Sequence, residues 1–422
     1  MFKLFPHQET ALDLTEGFNR CAYYLDMGLG KTFVGAEKMY LQNNQVNLII
    51  CQKSKVQDWI DHMNTYYPCY QVIDLTKKKG IEQFQEKIAA GVDVVGVINY
   101  ELLFRRSYFS QIDGFTMLLD ESSMIQNETA KRSKYVLQMK PESVILLSGT
   151  PTAGKYEKLW SQLHLLGWGI SKRLYYQQYV VQEWIDTGSG FNIPVITGYK
   201  NVDRLKSKLA AHGAVFMKTD EVMDLPKQQH INVFVRASAQ YKRFMKSCLI
   251  TVDGHQLVGD TGLTKRLYAR QLCGHYSQEK LQAFCDLIGS TDDRLIVFYN
   301  FDAELEALLK IAQQAEKPVS IVNGSVKDLE QYEHSEQSIT FIQYQAGAMG
   351  LNLQKANKIV YFTLPERSEL FEQSKKRIHR IGQEKTCLYY YLLCRASVEI
   401  DIFQTLKMRK DYTDALFEKY SS

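Results

Sequence analysis

The stretch YYLDMGLGKT, residues 23–32, combines residue types that suit the binding of a nucleotide phosphate. Backbone N–H groups of a glycine-rich loop can cradle the anion, Lys31 supplies a positive charge, and the Thr32 hydroxyl can reach Mg²⁺. The usual pattern also has a glycine five positions before Gly30, where this chain has Leu25. The stretch therefore predicts a phosphate-binding loop that departs from the usual pattern at its start.

Two neighbouring carboxylates, Asp120 and Glu121, follow the apolar run FTMLL. Metal-assisted hydrolysis of a nucleoside triphosphate needs one carboxylate to hold Mg²⁺ and a second group to orient or deprotonate the attacking water. We expect Asp120 to be the metal ligand and Glu121 to act on the water. The alternative is a strand that ends in a solvated acidic turn, and the phosphate loop upstream makes that alternative the weaker one.

Basic residues cluster in FEQSKKRIHRIGQ, residues 371–383. The sequence predicts a helix that carries Lys376, Arg377 and Arg380, with the two arginines on one face because they are three positions apart. A guanidinium can stabilise the negative charge that spreads over a transferred phosphoryl group. A solvated basic helix is the alternative. The phosphate loop in the first half of the chain favours the catalytic interpretation.

Two series of buried strands, separated by helices, would position these residues. Their apolar runs are continuous, which favours parallel sheets covered on both faces. The predicted strands are 47–51, 92–98, 115–120 and 143–148 in the first series, and 294–299, 319–322, 339–343, 357–362 and 387–393 in the second. The predicted helices between them include 55–63, 81–90 and 302–315. The fold class is therefore α/β, with two lobes that each contain a parallel sheet flanked by helices.

Residues 152–290 differ from both series because they are rich in tyrosine and basic residues. This segment predicts mostly helices with at least one loop or hairpin, and DTGSGFNIPVITGY at 186–199 is the candidate hairpin. We expect three domains: a first lobe at 1–168, a helical insertion and linker at 169–280, and a second lobe at 281–422.

Composition places the chain among ordinary globular proteins, with 45% hydrophobic and 23% charged residues. The net charge of +4 permits a nucleic-acid partner without requiring one. The 8 cysteines form no CxxC pair, and the spacing of Cys273, His275 and Cys285 fits no common zinc pattern. Without a signal segment or a run of membrane-spanning length, the sequence predicts a soluble protein of a reducing compartment, the cytoplasm.

The order of the motifs resembles that of the SWI/SNF-like branch of superfamily-two helicases. DMGLGKT, LLDESS, SGTP, QYQAGAMGLNL and QSKKRIHRIGQ resemble motifs I, II, III, V and VI of that branch. HRIGQ combined with an upstream GLGKT is highly specific, and the resemblance covers nearly the whole chain. It implies two RecA-like lobes and a phosphate loop that routinely lacks the early glycine, so Leu25 is no defect.

The resemblance also implies the cofactors ATP and Mg²⁺ and a role for each matching position. Gln8 would read the adenine edge, Arg380 would be the arginine finger, and Arg377 would support it. The residues implied in ATP binding are Gln8, Met27, Gly28, Leu29, Gly30, Lys31, Thr32, Asn352 and Gln383. The implied metal ligands are Thr32 and Asp120, and the implied catalytic residues are Lys31, Asp120, Glu121, Arg377 and Arg380.

Contacts with DNA follow from the same resemblance, because a translocating motor needs sequence-independent contacts with phosphates. Asp58-Trp59 takes the position of a family pair that touches the DNA backbone. Apart from these contacts, Lys280 takes the position of a family lysine in the segment that leads into the second lobe. The candidate residues for phosphate contacts are Lys53, Ser54, Lys55, Asn99, Tyr100 and Asn300.

Three functions remain open at this point. The resemblance implies a DNA-dependent ATPase that translocates on duplex or forked DNA in replication, recombination or repair, with proteins of those processes as further partners and no membrane. A strand-separating DNA or RNA helicase is the first alternative. A nucleotide-dependent nucleic-acid-binding switch is the second, because Ser123 and Ala348 depart from the family's residues at coupling positions. The short segment after HRIGQ favours a compact motor of a bacterium, phage or mobile element over a chromatin protein.

Overall fold

Two compact units make up the chain: one runs to Met223 and also includes the residues from Asp411 onward, and the other covers Asp224–Lys410. The structure is a computed structural model that describes residues 3–186, 192–347 and 351–417. The segment expected to be a separate insertion, 169–280, is divided between the two units, since β9 at Ala214–Met217 joins the first sheet and β10 at Gln228–Arg236 joins the second.

The first unit is built on a seven-stranded sheet of order β3-β4-β2-β5-β6-β1-β9, in which all pairs are parallel. Its strands are β1 Arg20–Leu25, β2 Val46–Cys51, β3 Gln71–Asp74, β4 Val94–Asn99, β5 Phe115–Asp120, β6 Ser143–Ser148 and β9. A separate antiparallel pair consists of β7 Val180–Asp186 and β8 Asn192–Tyr199. The helices are α1 Pro6–Asp13, α2 Lys31–Gln42, α3 Val56–Tyr66, α4 Lys78–Ala89, α5 Tyr100–Leu103, α6 Lys131–Gln138, α7 Trp160–Leu165, α8 Lys172–Tyr179, α9 Val202–Ala211 and α10 Thr219–Val222.

The second unit is built on a six-stranded parallel sheet of order β10-β17-β16-β13-β15-β14. Its strands are β10, β13 Leu295–Tyr299, β14 Val319–Val322, β15 Ile339–Gln343, β16 Lys358–Tyr361 and β17 Cys387–Arg395. A second antiparallel pair consists of β11 Leu249–Val252 and β12 His255–Val258. The helices are α11 Ala239–Ser247, α12 Gly262–Cys273, α13 Gln278–Gly289, α14 Asp302–Gln314, α15 Glu330–His334, α16 Tyr344–Gly347, α17 Ser368–Lys375 and α18 Val398–Phe417.

Strand β6 shows how a continuous apolar run becomes a central parallel strand. Val144 and Leu146 pack in one hydrophobic core of the first unit, and Ile145 and Leu147 pack in the other. Because successive side chains point to opposite faces, a strand with helices on both faces must be apolar at every position. Each such buried side chain contributes roughly 1.5–3 kcal/mol relative to an exposed one. The predicted two-lobed α/β fold is confirmed, and each predicted strand overlaps an observed one.

The parallel arrangement of the strands brings the polar groups at their carboxyl ends together. Since all seven strands of the first sheet run in the same direction, their carboxyl ends share one edge. The loop after β1, the residues after β2 and β4, and the carboxylates that end β5 all lie at that edge. Ligand sites of open parallel sheets form at this edge.

All eight cysteines of the chain are free thiols, and Cys69 in the first unit and Cys285 in the second are exposed. Five others are buried: Cys21, Cys51, Cys273, Cys387 and Cys394. Burial raises the pKa of Cys21 to about 12 and that of Cys387 to about 11. Across the described ranges, none of the helices has the length and apolar character needed to cross a membrane.

Candidate nucleotide site

The loop between β1 and α2 has the geometry of an anion cradle. Gly28 and Gly30 have positive φ values of 93° and 73°, which non-glycine residues rarely adopt. The backbone N–H groups of Met27, Gly28 and Gly30 make no hydrogen bond with any described residue. The loop leads directly into the N-terminus of α2 at Lys31, where the helix dipole favours an anion.

Gln8 lies against this loop. Its amide Nε2 donates to the carbonyl of Leu29 at 3.1 Å and to that of Gly30 at 3.5 Å, and its Oε1 accepts from the N–H of Phe5 at 2.9 Å. A Cβ on Gly30 would lie 2.1 Å from Nε2, so glycine suits this position for its φ and because any side chain here would displace Gln8. The side chain of Gln8, which was predicted to read adenine, therefore stabilises the loop through hydrogen bonds.

Lys31 and Thr32 begin α2 on the side of the loop that faces the sheet edge. The Lys31 ammonium donates to the carbonyls of Leu25 at 2.9 Å and Asp26 at 3.2 Å. A Cβ on Gly149 would lie 3.2 Å from this ammonium, which places the SGTP turn beside Lys31. The Thr32 hydroxyl makes no hydrogen bond within the part of the chain that the structure describes, so it is available to a ligand.

Asp120 ends β5 and is held by an aromatic side chain that comes from α3. The Trp59 indole N–H donates to Oδ2 of Asp120 at 2.8 Å, and Trp59 is only 2% exposed. Burial raises the pKa of Asp120, whereas the Trp59 hydrogen bond and the charge of Lys31 lower it. The structure thus gives Trp59 a partner inside the protein, at the position where the sequence predicted a contact with DNA.

Glu121 adopts a left-handed backbone conformation, with φ 56° and ψ 60°. Its Oε1 accepts from the hydroxyl of Ser123 at 3.0 Å and from that of Ser148 at 2.9 Å. A strained backbone with two fixed side-chain partners is typical of a functional position. Ser148 belongs to the SGTP turn, so the turn holds the second carboxylate directly.

A buried network fixes the turn that follows Glu121. The Ser122 hydroxyl donates to Oε1 of Gln162 at 2.8 Å, the Tyr24 hydroxyl donates to the same oxygen at 3.0 Å, and the Gln162 amide donates to the carbonyl of Pro151 at 2.8 Å. These bonds connect β1, the carboxylate turn and the SGTP turn. The sequence did not single out Gln162, because its role depends on side chains that are far apart along the chain.

The carboxylate of Asp26 connects the phosphate loop to the last helix of the first unit. Its Oδ2 accepts from the N–H of Thr219 at 3.2 Å and from the Thr219 hydroxyl at 3.1 Å. Thr219 begins α10, which lies just before the boundary with the second unit. The carboxylate of Asp26 thus has a structural partner within the protein.

The arginines of the second unit do not lie on a helix, so that prediction is wrong. Helix α17 ends at Lys375, and the residues after it form turns. The carbonyl of Arg377 accepts a hydrogen bond from the N–H of Leu353 at 3.1 Å, a residue outside this segment, and not from a helical i+4 partner. Gly382 with φ 89° completes the bend.

Arg377 is buried, with 3% of its surface exposed, and Arg380 is half-buried. Nε and one terminal nitrogen of Arg377 have no hydrogen-bond partner among the described residues. Burial, with a smaller effect of Arg380, lowers the pKa of Arg377 to about 10. Buried donors without partners are costly, so an acceptor bound at these two nitrogens would stabilise Arg377.

Asn352 and Gln383 support the arginine segment. Oδ1 of Asn352 accepts a hydrogen bond from Arg380. The Gln383 amide donates to the carbonyls of Gln354 at 3.1 Å, Ala356 at 2.8 Å and Ile378 at 3.2 Å. Gln383 therefore closes the turn, and its contact with nucleotide stays a prediction. Ala348, the other coupling position, lies outside the described residues.

The predicted phosphate contacts differ in their exposure. Lys53 and Ser54 are exposed in a short 3₁₀ turn after β2, and Lys55 pairs with Asp58 at 2.7 Å. Three other predicted residues use their side chains inside the protein: Tyr100 donates to the carbonyl of Asp120 at 3.0 Å, Asn99 to Glu101 at 2.9 Å, and Asn300 to Thr363 at 2.9 Å. Lys53 and Ser54 are thus the two exposed residues among these candidates, and their contact with DNA stays a prediction.

Comparison with known proteins identifies the family. The SNF2-related domain matches residues 17–283, and the helicase conserved C-terminal domain matches residues 279–382. The chain belongs to the SNF2-related family of superfamily-two helicases. The resemblance drawn from the GLGKT and HRIGQ segments is thereby confirmed.

Two curated SNF2-related proteins illustrate the relationship. The mouse SWI/SNF-related matrix-associated actin-dependent regulator of chromatin subfamily A member 1 is 23% identical over 92% of this chain and 40% of its own length. The yeast ISWI chromatin-remodeling complex ATPase ISW1 is 23% identical over 92% of this chain and 38% of its own length. A solved structure, the Sulfolobus solfataricus SWI2/SNF2 ATPase core in complex with dsDNA, has a TM-score of 0.47 and 19% identity, covering 98% of this chain and 92% of that chain. The chain thus spans about two fifths of the length of these curated relatives.

Proposed function

We propose that this SNF2-related chain is a DNA-dependent ATPase that uses ATP hydrolysis to translocate on DNA. The observation that carries the proposal is the pair Asp120 and Glu121, each held by side-chain donors at the carboxyl edge of the sheet, beside the loop that ends in Lys31. Two oriented carboxylates next to an anion cradle suit metal-assisted phosphoryl transfer.

The residues present fit ATP and Mg²⁺. Unpaired N–H groups of the loop would receive the phosphates, and the Lys31 ammonium would exchange its two carbonyl partners for phosphate oxygens. Thr32 and Asp120 would hold Mg²⁺, which neutralises charge on the phosphates when bound. Glu121, fixed by Ser123 and Ser148, would orient the attacking water and accept its proton.

In the second unit, Arg380 and Arg377 would supply positive charge to the nucleotide phosphates. We propose Arg380 as the residue that stabilises the transition-state charge, with Asn352 holding its guanidinium. The two unpartnered nitrogens of Arg377 support a role in binding an anion. Both arginines would lower the barrier by meeting negative charge as it develops.

Duplex or forked DNA is the substrate that we propose, and replication, recombination or repair is the setting. The relatives are named for chromatin remodelling and for SWI/SNF-type regulation. Lys53 and Ser54 are the exposed residues of the first unit that would grip the phosphates. A cytoplasmic location in a bacterial or phage-infected cell belongs to the same proposal.

Steady-state ATP hydrolysis tests the proposal when it is measured without nucleic acid and with single-stranded, duplex and forked DNA and RNA. Strong stimulation by duplex or forked DNA, abolished by Lys31→Ala, is the expected result. An ATPase that no nucleic acid stimulates would contradict translocation and favour the nucleotide-dependent switch. Stimulation mainly by single strands would favour the strand-separating helicase, which the hairpin β7–β8 makes a specific second candidate.

A further inference from the structure

The hairpin β7–β8 has no part in the nucleotide site and lies outside both large sheets. Its two strands form a sheet of their own, in which β7 and β8 pair only with each other. Helix α8 leads directly into it, and the Ser171 hydroxyl caps that helix by accepting from the N–H of Leu174. The base of the hairpin is packed against the first unit, since the ring of Tyr199 stacks on that of Tyr156 with centroids 4.4 Å apart, whereas the residues further along both strands are mostly exposed.

Apolar side chains are exposed on both faces of the hairpin. Trp184 pairs with Pro194 and Ile185 pairs with Ile193, so Trp184 and Ile185 point to opposite faces. Trp184 is 68% exposed, Ile185 48% and Ile193 49%. Exposed large apolar side chains that are grouped in this way mark a surface that contacts another molecule.

A concavity of about 630 Å³ lies between the Trp184 face of the hairpin and helix α8. Its volume falls within the range of about 300–1,000 Å³ typical of ligand pockets. Polar, cationic and aromatic side chains line it, and no carboxylate is among its lining residues. We name this surface the hairpin groove and define it by Arg173, Tyr176, Gln182, Trp184 and Lys200.

The charges of the groove favour a polyanion. Arg173 and Lys200 are exposed and form no ion pair with any residue in the described ranges. A third cation at its border, Lys172, pairs with Glu128 and lies 5.4 Å from the centre of the Tyr176 ring. Two unpaired cations beside an exposed indole combine the two elements that single-stranded nucleic acid requires, phosphate neutralisation and base stacking.

We propose that the hairpin groove binds a single-stranded segment of nucleic acid, with Trp184 stacked on a base and Arg173 and Lys200 on phosphates. A duplex hides the faces of its bases, so an exposed indole gains contact area only from an unpaired strand. This proposal rests on the proposed function in one respect, because both require that the chain binds nucleic acid. It adds a second contact, separate from Lys53 and Ser54, which would hold a displaced or unpaired strand.

Binding of a fluorescein-labelled single-stranded oligonucleotide to the full chain, measured by anisotropy over a series of salt concentrations, tests this proposal. Trp184→Ala should weaken binding by about 5-fold or more, and Trp184→Phe should restore most of it, since stacking of a base on an aromatic ring contributes about 1–3 kcal/mol. Arg173→Gln with Lys200→Gln should reduce the slope of log K against log salt by about 1.4, at about 0.7 for each lost phosphate contact.

The matched control is Lys140→Gln with Lys208→Gln, two exposed lysines of the same unit that do not line the hairpin groove; Lys140 precedes β6 and Lys208 lies on α9. It removes the same charge and should leave single-strand binding unchanged. Groove variants that bind the single strand as the native chain does, or that lose no more affinity than the control, would overturn the proposal and leave a protein as the occupant.

Duplex-stimulated ATP hydrolysis of the same variants separates this proposal from the proposed function. If the native chain is stimulated by duplex DNA and the groove variants bind single strands normally, only the groove proposal fails. If no nucleic acid binds or stimulates the native chain, the proposed function fails as well. Loss of single-strand binding in the groove variants, with duplex stimulation retained, supports both.

Discussion

At the scale of single residues, the site depends on partners that hold its carboxylates and its loop. Asp120 is held by Trp59, and Glu121 is held by two serine hydroxyls. Groups that orient a metal ligand affect metal affinity and activity nearly as strongly as the ligand itself. The residue-scale predictions therefore concern these supporting contacts.

Trp59→Phe should weaken Mg²⁺-dependent ATP hydrolysis, because the indole N–H that stabilises the ionised form of Asp120 is lost. The pKa of Asp120 is already raised by burial, and the hydrogen bond from Trp59 lowers it. Without that bond the pKa of Asp120 rises further. As the pH is lowered, activity should therefore begin to fall at a higher pH than in the native chain. We expect a rise of about 10–100-fold in the Mg²⁺ concentration needed for half-maximal rate.

Measurement of the rate against pH and against Mg²⁺ checks this, with Trp160→Phe as the control. Trp160 belongs to the same unit and donates its indole N–H to the carbonyl of Ile170 at 3.0 Å, away from the carboxylates. A pH profile of Trp59→Phe that coincides with the native profile would show that the Trp59 bond does not tune Asp120.

Gly30→Ala should weaken binding of ATP, because its Cβ would lie 2.1 Å from the Gln8 amide nitrogen and would displace that side chain from the loop. Gly91→Ala is the matched control: Gly91 has φ 71°, close to the 73° of Gly30, and no atom lies within 4 Å of the added Cβ. Both variants carry the backbone strain of about 1 kcal/mol or more, and only Gly30→Ala displaces Gln8.

Titration with a fluorescent ATP analogue measures the difference between these two glycine variants. Adding Gln8→Ala to Gly30→Ala should recover part of the binding, since the clash is then removed. Equal affinities for the Gly30→Ala and Gly91→Ala proteins would mean that the contact with Gln8 is unimportant.

At the scale of elements, the second unit depends on a buried ion pair. The Lys280 ammonium on α13 lies 2.5 Å from a Glu399 oxygen on α18, and the side chains are 0% and 3% exposed. The second Glu399 oxygen accepts from the N–H of Cys394 on β17 at 2.9 Å. The pair thus joins two helices and an interior strand of the sheet, and the charge of Glu399 raises the pKa of Lys280 against the effect of burial.

Lys280→Met should destabilise this region by about 3–5 kcal/mol, because Glu399 is left as a buried charge without a partner. Lys355→Met is the control, since Lys355 pairs with Glu333 on the surface with exposures of 52% and 44%, and it should change stability by about 1 kcal/mol or less.

Hydrogen–deuterium exchange of peptides from β17 and α18 gives the local readout for these lysine variants. Faster exchange in Lys280→Met and unchanged exchange in Lys355→Met are expected. The double variant Lys280→Met with Glu399→Leu should recover stability. Failure of the double variant to do so would show that packing, not charge, accounts for the loss.

The elements that sequence could predict are those with continuous apolar runs. Strands β2, β5 and β6 are examples, because burial on both faces leaves a strong signal. β10 was missed since its burial alternates along the strand, whereas β1 was missed although five consecutive residues of it are buried. The turn after α17 was also missed, because it depends on a hydrogen bond from Leu353.

The candidate site divides in the same way. Lys31, Asp120 and Glu121 could be predicted because their motifs are local in sequence. Trp59 could not be assigned its role, because its partner Asp120 is 61 residues away along the chain. Such contacts depend on the order of strands in the sheet, which the sequence does not state.

At the scale of the whole molecule, the two units supply different parts of the proposed reaction. The carboxylates and the phosphate loop belong to the first unit, and Arg377 and Arg380 belong to the second. Hydrolysis should therefore be separable from ATP binding by substitution in the second unit alone.

Arg380→Ala should bind ATP with near-native affinity and hydrolyse it about 10³-fold more slowly, as expected for the loss of an arginine that acts mainly in the transition state. Arg395→Ala is the control, since Arg395 is an exposed arginine of the same unit that lies 5.0 Å from the centre of the Phe234 ring. Parallel measurement of analogue binding and of kcat with duplex DNA gives the result. Equal losses of binding and rate would assign Arg380 to ATP binding instead.

The positions of the exposed cysteines allow dyes to be attached selectively, one in each unit. Cys69 and Cys285 are exposed, one in each unit, while burial raises the pKa of Cys21 and Cys387 and makes them poor nucleophiles. With the half-buried Cys248 replaced by Ser, a donor and an acceptor dye could be attached at two native positions. Single-molecule energy transfer would then report the distance between the two dyes with and without ATP.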